Sequence, residues 1–432
     1  MSSLSILSDA AVGSTRDYLS FERYTDPLIE ILSDPNAETP FTVGIFGAWG
    51  SGKSSLLQML DEKLEAKDPK GFVRVHFNPW VYRGEKNILI PLLHTLQDTL
   101  EEDVMHRFTE SAKKIGDVLL RLGADVLLKR LTADSVSLEK LEKLEAKYLE
   151  HKGQVESQIR KLRLTLQAEA DNIAAKGARL VFFVDDLDRC EPEEIINLLE
   201  SIKLFLDLKN VFVVLAVDKE VIDRGIEVKY SAFQFEKSRK LAVGAEYIEK
   251  MVQLPLQLYP LHKKQILWFM NRFGPGEAVK PHLSLLESIV LPNPRKIKRI
   301  LNILAVSSHI ADQTQGIENL DRSLLARLAV LQVQAGDLYS QIVRMPDALF
   351  AFDGLAADPP TFDVHNPGTF ARFGARRDAI VQLCKDYYRP ESFLSALFRG
   401  DEITVGGKKS TPGAFSNLRP DDLSMYLSML GA

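Results

Sequence analysis

The stretch FTVGIFGAWGSGKSSLLQML, residues 41–60, decides the fold that the sequence predicts. Its apolar first part, residues 41–46, predicts a short buried strand, and residues 53–66 follow the pattern of a helix. Between them, GAWGSGKS at 47–54 has the spacing G-x-x-x-x-G-K-[ST] of a loop that holds nucleotide phosphates. Glycines let such a backbone turn tightly around an anion, and the helix N-terminus adds positive potential. The stretch therefore predicts an α/β protein with a phosphate site between a strand and a helix.

The residues of this loop have separate predicted roles toward a nucleotide. We expect the Lys53 ammonium to reach the β- and γ-phosphates and the Ser54 hydroxyl to bind Mg²⁺. Tryptophan is more often a core residue than a ligand contact, so we expect Trp49 to pack beneath the loop and Trp80 to lie in the core, with stacking of Trp49 on a base as the alternative. The candidate nucleotide-binding residues of the loop are Gly47, Ala48, Trp49, Gly50, Ser51, Gly52, Lys53, Ser54 and Ser55.

Two further apolar runs end in acidic residues. RLVFFVDDLDRC spans residues 179–190, and VFVVLAVD spans residues 211–218. Strands that are apolar throughout and alternate with helices are typical of a parallel sheet covered on both faces. Ligands of such sheets bind at the carboxyl ends of the strands, so we expect the acids that end these two runs to lie near the glycine loop.

These acids complete the chemistry of a phosphate-hydrolysing site. We expect Asp185 to hold Mg²⁺, directly or through water, and Asp186 to orient or deprotonate the attacking water. Asp218 is a candidate polar sensor of the nucleotide. An aspartate can also cap a helix, and that role is the one we expect of Asp188.

Two arginines are candidates for stabilising the negative charge that develops during phosphoryl transfer, either in their own chain or in a neighbour. Arg189 follows the acidic strand end, and Arg295 lies in NPRKIKR, residues 293–299. The alternative for Arg189 and Arg295 is a solvated basic face or a patch for acidic partners. The sequence leaves both interpretations open.

Length and composition limit the protein class. The chain has 432 residues, which suggests two or three domains. Its formal net charge of −5 gives no reason to expect that the whole surface binds nucleic acid or anionic lipid, and leaves local basic patches open. The two cysteines, Cys190 and Cys384, form no disulfide framework or zinc spacing and are compatible with a reducing, cytoplasmic location. No signal peptide is expected from the first residues and no transmembrane segment from the apolar runs.

The order of strand and helix patterns along the chain predicts a nucleotide-binding core that is divided by an insertion. We expect residues 1–86 and 177–260 to form the two parts of the nucleotide-binding core, residues 87–176 to form a helical insertion, and residues 261–432 to form a helical lid and C-terminal helical region. Within the insertion, residues 137–170 predict a long exposed helix or hairpin, which is either a solvated strut or a partner-binding coiled coil. Residues 115–128 predict an amphipathic helix.

Several of these motifs occur together in one known family. DYLSFERY at 17–24, GAWGSGKS, FNPW at 77–80, DDLDRC at 185–190 and NPRKIKRILN at 293–302 follow one another in this order. With them the chain resembles the KAP family of P-loop NTPases, within the broader STAND/AAA-like group, over about residues 15–310. The combination of GxWGSGKS with DDLDRC is the specific part of the resemblance.

The resemblance implies ATP as the nucleotide, Mg²⁺ as its metal, and a helical lid after the core with Arg295 in a sensor-like position. Members of the family are predominantly bacterial, and some are linked to phage exclusion or defence. Many are associated with membranes through transmembrane helices inserted between the two phosphate motifs. Residues 87–176 occupy that place here but lack such helices, which favours an arm for a protein partner or for self-assembly.

Four functions follow from these features. The first is a cytoplasmic ATP-binding switch and slow ATPase, acting as a homo-oligomer or with a protein partner held by the 87–176 helices. The second is a nucleotide-gated scaffold with little turnover. The third is an ATP-driven machine acting on nucleic acid, for which the basic segments KIKR and ARFGARR are the motivation. The fourth is peripheral membrane attachment through residues 115–128.

Overall fold

The computed structural model of the protein describes most of the chain, and it divides into two compact units. The first unit is Ala11–Tyr259, and the second is Met1–Ala10 together with Pro260–Ala432. The described residues are 6–83, 89–100, 160, 163–191, 194–196, 198–199, 202, 207–229, 248–313, 320–357, 367–389, 391–399, 403–405, 408–410 and 414–431. The predicted helix at 115–128 lies outside them, and so does all but the end of the predicted helix or hairpin at 137–170.

The first unit contains a five-stranded sheet in which every neighbouring pair is parallel. The strand order is β2-β3-β4-β1-β5. The predicted α/β fold with a parallel P-loop core is therefore confirmed. The strands are β1 (Phe41–Phe46), β2 (Phe72–Phe77), β3 (Arg179–Val184), β4 (Val211–Val217) and β5 (Leu254–Gln257).

Two strands, β2 and β5, differ from what the sequence pattern predicts. The pattern predicts a strand over 72–80, but β2 ends at Phe77 and a 3₁₀ turn, Pro79–Tyr82, follows it. Pro79 has no N–H for a ladder, and the Asn78 side chain accepts a hydrogen bond from Trp80 N at 3.1 Å. The short β5 was not predicted, because Pro255 weakens its strand signal. Among the strands that the structure describes, β5 is an edge strand that pairs with β1 alone, and an edge strand tolerates proline.

Side chains of the central strand β4 alternate between two hydrophobic clusters. Val213 and Leu215 belong to one cluster, whereas Phe212 and Val214 belong to the other. All seven residues of β4 are buried. This alternation with burial on both sides is what the continuous apolar runs predict for a sheet covered on both faces.

Helices cover the two clusters. The helices α1 (Glu22–Ser33) and α2 (Lys53–Lys67) place Leu28, Leu32, Leu56 and Leu60 in the cluster of Phe212 and Val214. The helix α3 (Leu89–Thr99) and the helical residues 163–175 contribute to the other cluster. The helix α4 (Lys219–Lys229) follows β4 directly.

The register of the strands brings their carboxyl ends together. Phe46 of β1 pairs with Val217 of β4, and Val184 of β3 pairs with both Phe77 of β2 and Leu215 of β4. The residues that follow these four strands therefore lie along one edge of the sheet. The loop after β1 and the acids after β3 both belong to this edge, which is the place where parallel sheets bind ligands.

The second unit is mostly helical, as predicted. Its small antiparallel hairpin, β6 (Ile403–Val405) with β7 (Lys408–Ser410), was not predicted, since strands of three residues carry no periodic signal. The helices are α5 (Lys263–Arg272), α6 (Leu283–Ile289), α7 (Pro294–Gln313), α8 (Arg322–Gln334), α9 (Gly336–Arg344), α10 (Ala348–Ala357), α11 (Arg377–Tyr387), α12 (Phe393–Arg399) and α13 (Pro420–Met429).

Candidate nucleotide-binding site

The glycine loop joins β1 to α2 and needs glycine for two different reasons. Gly50 and Gly52 have positive φ angles of 83° and 103°. At Gly47 the backbone is crowded, because a Cβ there would lie 2.6 Å from Ser51 Oγ. The Gly47 amide donates to the carbonyl of Val217 at 3.3 Å, which anchors the loop to the end of β4. The loop is therefore a tight turn at the carboxyl edge of the sheet, with α2 starting at Lys53.

Lys53 is buried inside this turn, with 6% of its surface exposed. Its Nζ donates to the carbonyl oxygen of Gly47 at 2.9 Å and to that of Ala48 at 3.5 Å. The same Nζ lies 2.9 Å from Asp188 Oδ2, and both side chains of this ion pair are more than nine-tenths buried. Lys53 is thus held by the loop and by the segment after β3.

Asp188 is the residue whose role sequence reasoning missed. We expected it only to cap a helix, but its carboxylate is the ionic partner of Lys53. It lies in the one-turn 3₁₀ helix Leu187–Arg189, which the fully buried Leu187 fixes against the core. The spacing of the three acids in DDLD was the available signal, since it places a third carboxylate one short turn after the strand end.

Asp185, the first residue after β3, joins the acidic segment at the end of β3 to the glycine loop. Its carboxylate accepts hydrogen bonds from the Ser54 hydroxyl and, at 2.8 Å, from the amide of Asp186. Burial raises the pKa of Asp185, the Ser54 hydrogen bond opposes this rise, and the charges of Asp186 and Asp188 add to it. A cation beside Asp185 would relieve both the desolvation and the repulsion.

Ser54 and Asp185 together fit the protein part of a magnesium site. Mg²⁺ is usually bound by one or two protein oxygens, with waters and substrate phosphates completing its shell. A hydroxyl on the glycine loop in contact with a carboxylate at the next motif is such a pair. Among the described residues, no group of three or more His, Cys, Asp or Glu side chains could hold a metal ion by itself.

Asp186 is fixed by two side chains and by an unusual backbone conformation. Its φ and ψ angles of 58° and 24° are left-handed, a region in which aspartate is enriched among non-glycine residues. Asn78 Nδ2 donates to Asp186 Oδ2 at 2.9 Å, and Arg189 Nε lies 2.7 Å from Asp186 Oδ1. Both carboxylate oxygens are thus engaged, and the direction of the carboxylate is set.

Asn78 is a second residue that the residue-by-residue reasoning did not single out. It follows β2, the strand next to β3, so the sheet places its side chain beside the acids. In the sequence, only the motif FNPW, one of those that carry the family resemblance, indicated that Asn78 matters.

Arg189 lies at the same edge, paired with Asp186 and stacked near an aromatic ring. Its guanidinium carbon is 5.3 Å from the centre of the Trp80 ring. Trp80 is 41% exposed and Trp49 is 65% exposed. The predictions that Trp80 lies in the core and that Trp49 packs beneath the loop are therefore wrong, and the buried side chain that contacts the loop carbonyls is that of Lys53.

Asp218 follows β4 and begins α4. Its side chain accepts a hydrogen bond from the Glu220 amide at 3.1 Å, and its carbonyl accepts from Val221 N at 3.1 Å. This is the arrangement of a residue that starts a helix. A sensor role for Asp218 stays a prediction.

Arg295 belongs to the second unit, near the start of α7. Its Nε lies 3.9 Å from Asp9 Oδ2, and Arg299 of the same helix lies 3.1 Å from that oxygen. Lys298 donates to the Ser8 carbonyl at 3.1 Å. Three of the basic side chains of NPRKIKR thus contact the N-terminal segment of their own unit. The sensor-like role of Arg295 stays a prediction.

The family assignment follows from a comparison of the whole chain with known families. The model of the KAP family P-loop domain matches residues 21–311, which is more than half of the chain. The chain therefore belongs to the KAP family and carries a nucleotide-binding P-loop domain, as the resemblance predicted. Among the described residues, no helix combines the length and the apolar composition needed to cross a membrane.

Individual relatives are distant. The chain is 27% identical over 170 residues to an uncharacterized protein of Methanocaldococcus jannaschii, covering 33% of this chain and 88% of that one. It is 24% identical over 273 residues to the phage T7 exclusion protein of Escherichia coli, covering 58% of this chain and 34% of the relative. The chain thus spans about a third of that relative's length. Among solved structures, the Aeropyrum pernix ORC2 protein is similar with a TM-score of 0.36 and 14% identity, covering 95% and 93% of the two chains.

Proposed function

We propose that this protein is an ATP-binding and ATP-hydrolysing molecular switch that uses Mg²⁺. The observation that carries the proposal is the meeting of four side chains, from two distant parts of the sequence, at one edge of the sheet. Ser54 contacts Asp185, Lys53 lies in the glycine loop beside them, and Asp186 is oriented by its neighbours. This set combines a phosphate cradle, a metal-binding pair and an oriented carboxylate.

Each residue has a distinct task in the proposed reaction. The amides of the glycine loop and the Lys53 ammonium would bind the phosphates. Ser54 and Asp185 would hold Mg²⁺, which when bound neutralises charge on the phosphates. Asp186 would orient the attacking water or accept its proton, since its carboxylate direction is fixed by Asn78 and Arg189. Arg189 would stabilise negative charge if it leaves Asp186 during the reaction, and Arg295 is the other candidate for this task.

Hydrolysis of ATP by the purified protein with Mg²⁺ tests the proposal. Phosphate release should vanish in Lys53→Ala and in Asp186→Ala. Lys67→Ala is the matched control, because Lys67 is an exposed lysine in the last turn of the same helix α2. Release that persists in Lys53→Ala, or that falls equally in Lys67→Ala, would contradict the proposal. A rate per subunit that rises with protein concentration would indicate a site completed by self-assembly.

A nucleotide-gated scaffold with little turnover is the second candidate, and specific contacts favour it. Asp186 is tied to Arg189 and Asn78, and Lys53 is tied to Asp188, so the groups needed for hydrolysis are already engaged. Such a protein would bind ATP and organise partners through residues 87–176, most of which lie outside the described residues. Equal slow hydrolysis in the wild type and in Asp186→Ala, with ATP bound by both, would select the scaffold.

We propose a bacterial anti-phage system as the biological setting, with the protein as a cytoplasmic ATPase subunit acting with itself or with a protein partner. The similarity to the phage T7 exclusion protein over 58% of the chain supports this setting. Plaque counts on bacteria expressing the wild type or Lys53→Ala would test it. Protection by the wild type and none by the variant is the expected result, and equal plaque counts would contradict it.

Action on nucleic acid is a further alternative. The KIKR segment motivated it, but Lys298 and Arg299 contact Ser8 and Asp9 of their own unit. Salt-sensitive DNA binding that is lost on charge reversal at Lys296 would favour this alternative over the switch.

A further inference from the structure

The ion pair between Lys53 and Asp188 has a consequence for nucleotide binding, if the site works as proposed above. An ammonium group has three N–H donors. The carbonyls of Gly47 and Ala48 accept hydrogen bonds from Lys53 Nζ, and Asp188 Oδ2 is its ion-pair partner at 2.9 Å. A phosphate that pairs with Lys53 therefore competes with these oxygens for one ammonium group.

Asp188 is the partner of Lys53 that a phosphate most directly replaces, because both are anions that pair with an ammonium group. The carbonyls belong to the loop that would surround the phosphate, whereas Asp188 comes from the separate segment after β3. Its side chain is 8% exposed, so a carboxylate that loses its ammonium partner there stays largely out of water. Leaving one member of a buried ion pair without its partner is strongly unfavourable.

Asp188 is also distinct from the other acids of this edge. Asp185 contacts Ser54, and Asp186 contacts Asn78 and Arg189. Asp188 contacts the lysine that the glycine loop needs for phosphate. Its position therefore suits competition with a phosphate for one ammonium group, rather than metal binding or activation of water.

We infer that Asp188 is a built-in competitor of the nucleotide: it holds Lys53 in the glycine loop, and binding of a nucleoside diphosphate or triphosphate transfers Lys53 from Asp188 to the phosphates. The competition lowers nucleotide affinity. It also links phosphate binding to release of the Leu187–Arg189 turn, whose Arg189 contacts Asp186. Asp188 thus lowers the affinity for nucleotide and couples the binding of phosphate by Lys53 to a change in the Leu187–Arg189 turn.

Titration with a fluorescent ADP analogue in Mg²⁺ buffer tests this inference. Asp188→Asn keeps the shape of the side chain and removes its charge, so nucleotide should bind about tenfold more tightly than to the wild type. Glu191→Gln is the matched control, since it removes one charge three residues further along the same segment, at an exposed side chain, and leaves the Lys53–Asp188 pair. Its affinity should stay within about twofold of the wild type.

Two results would overturn the inference. Weaker binding to Asp188→Asn would mean that Asp188 holds Lys53 or the metal in the productive position. Equal tightening in Asp188→Asn and Glu191→Gln would mean that general repulsion, not competition for Lys53, sets the affinity. If Asp188→Asn does not fold, Asp188→Ser supplies the same comparison. Failure of the proposed function gives a different result, because Lys53→Ala would then bind the analogue as tightly as the wild type.

Discussion

Basic side chains are held differently in two regions of this protein, the glycine loop with Lys53 and the start of α7 with Arg299. Lys53 is buried, with two loop carbonyls and a buried carboxylate around its ammonium group. Arg299 pairs with Asp9 through side chains that are 60% and 38% exposed. Burial makes the first arrangement specific and costly to disturb, whereas the second is a surface pair that water and salt weaken.

The sheet edge and the start of α7 also differ in how strongly their charged groups depend on one another. At the sheet edge, main-chain topology fixes each charged group, so a change of one residue alters the chemistry of the others. At the start of α7, the basic side chains contact backbone and carboxylate of an exposed segment, and each contact can be lost separately. Substitutions at the two places should therefore differ strongly in their effects.

The largest expected effect is on turnover at the sheet edge. Asp186→Asn should lower the rate of ATP hydrolysis by about a hundredfold or more, because an amide cannot accept the proton of the attacking water. Nucleotide affinity should change little, since Asp186 contacts Asn78 and Arg189 rather than Lys53. Single-turnover hydrolysis together with nucleotide titration separates the two quantities. A variant that loses binding and turnover equally would place Asp186 in the phosphate cradle.

A smaller loss is expected when the orientation of Asp186 is relaxed. Asn78→Ala removes the hydrogen bond to Asp186 Oδ2 but keeps the carboxylate, so hydrolysis should fall by roughly tenfold. Asn78→Asp is the informative companion, because a second carboxylate would repel Asp186 and should slow hydrolysis at least as much. Hydrolysis unchanged in both variants would show that Arg189 alone orients Asp186.

The smallest effect is expected at α7. Arg299→Ala removes an exposed ion pair with Asp9, which should lower the free energy of unfolding by about 1 kcal/mol or less. Urea unfolding at low and high salt measures it, and high salt should remove the difference between variant and wild type. A loss of several kcal/mol would mean that the N-terminal segment and α7 form a strong structural unit, and the contrast between the two regions would fail.

The sequence predicted the parts of the sheet edge that are encoded locally. Apolar runs predicted β1, β3 and β4, because both faces of these strands are buried. The glycine spacing predicted the loop, since positive φ angles at Gly50 and Gly52 leave few alternatives to glycine. The contact between Ser54 and Asp185 agrees with the pairing of motifs that hold phosphate and metal.

The contacts between side chains of different motifs depend on which strands are neighbours in the sheet. The local sequence pattern does not contain the order of the strands, so it did not predict these contacts. Asn78 reaches Asp186 because β2 lies next to β3 in the sheet. Asp188 reaches Lys53 because the turn after β3 leads back toward the loop after β1. The exposure of Trp49 was missed for a similar reason, since the buried side chain inside the loop is that of Lys53.

Titration of the purified protein with ATP and Mg²⁺, for the wild type and Lys53→Ala in parallel, tests the central claim most directly. The wild type should bind one nucleotide per chain, and Lys53→Ala should bind at least about tenfold more weakly, because a charge-assisted hydrogen bond to phosphate is lost. Equal affinity in the two proteins, or no binding by the wild type, would contradict the claim that this edge of the sheet is the nucleotide site.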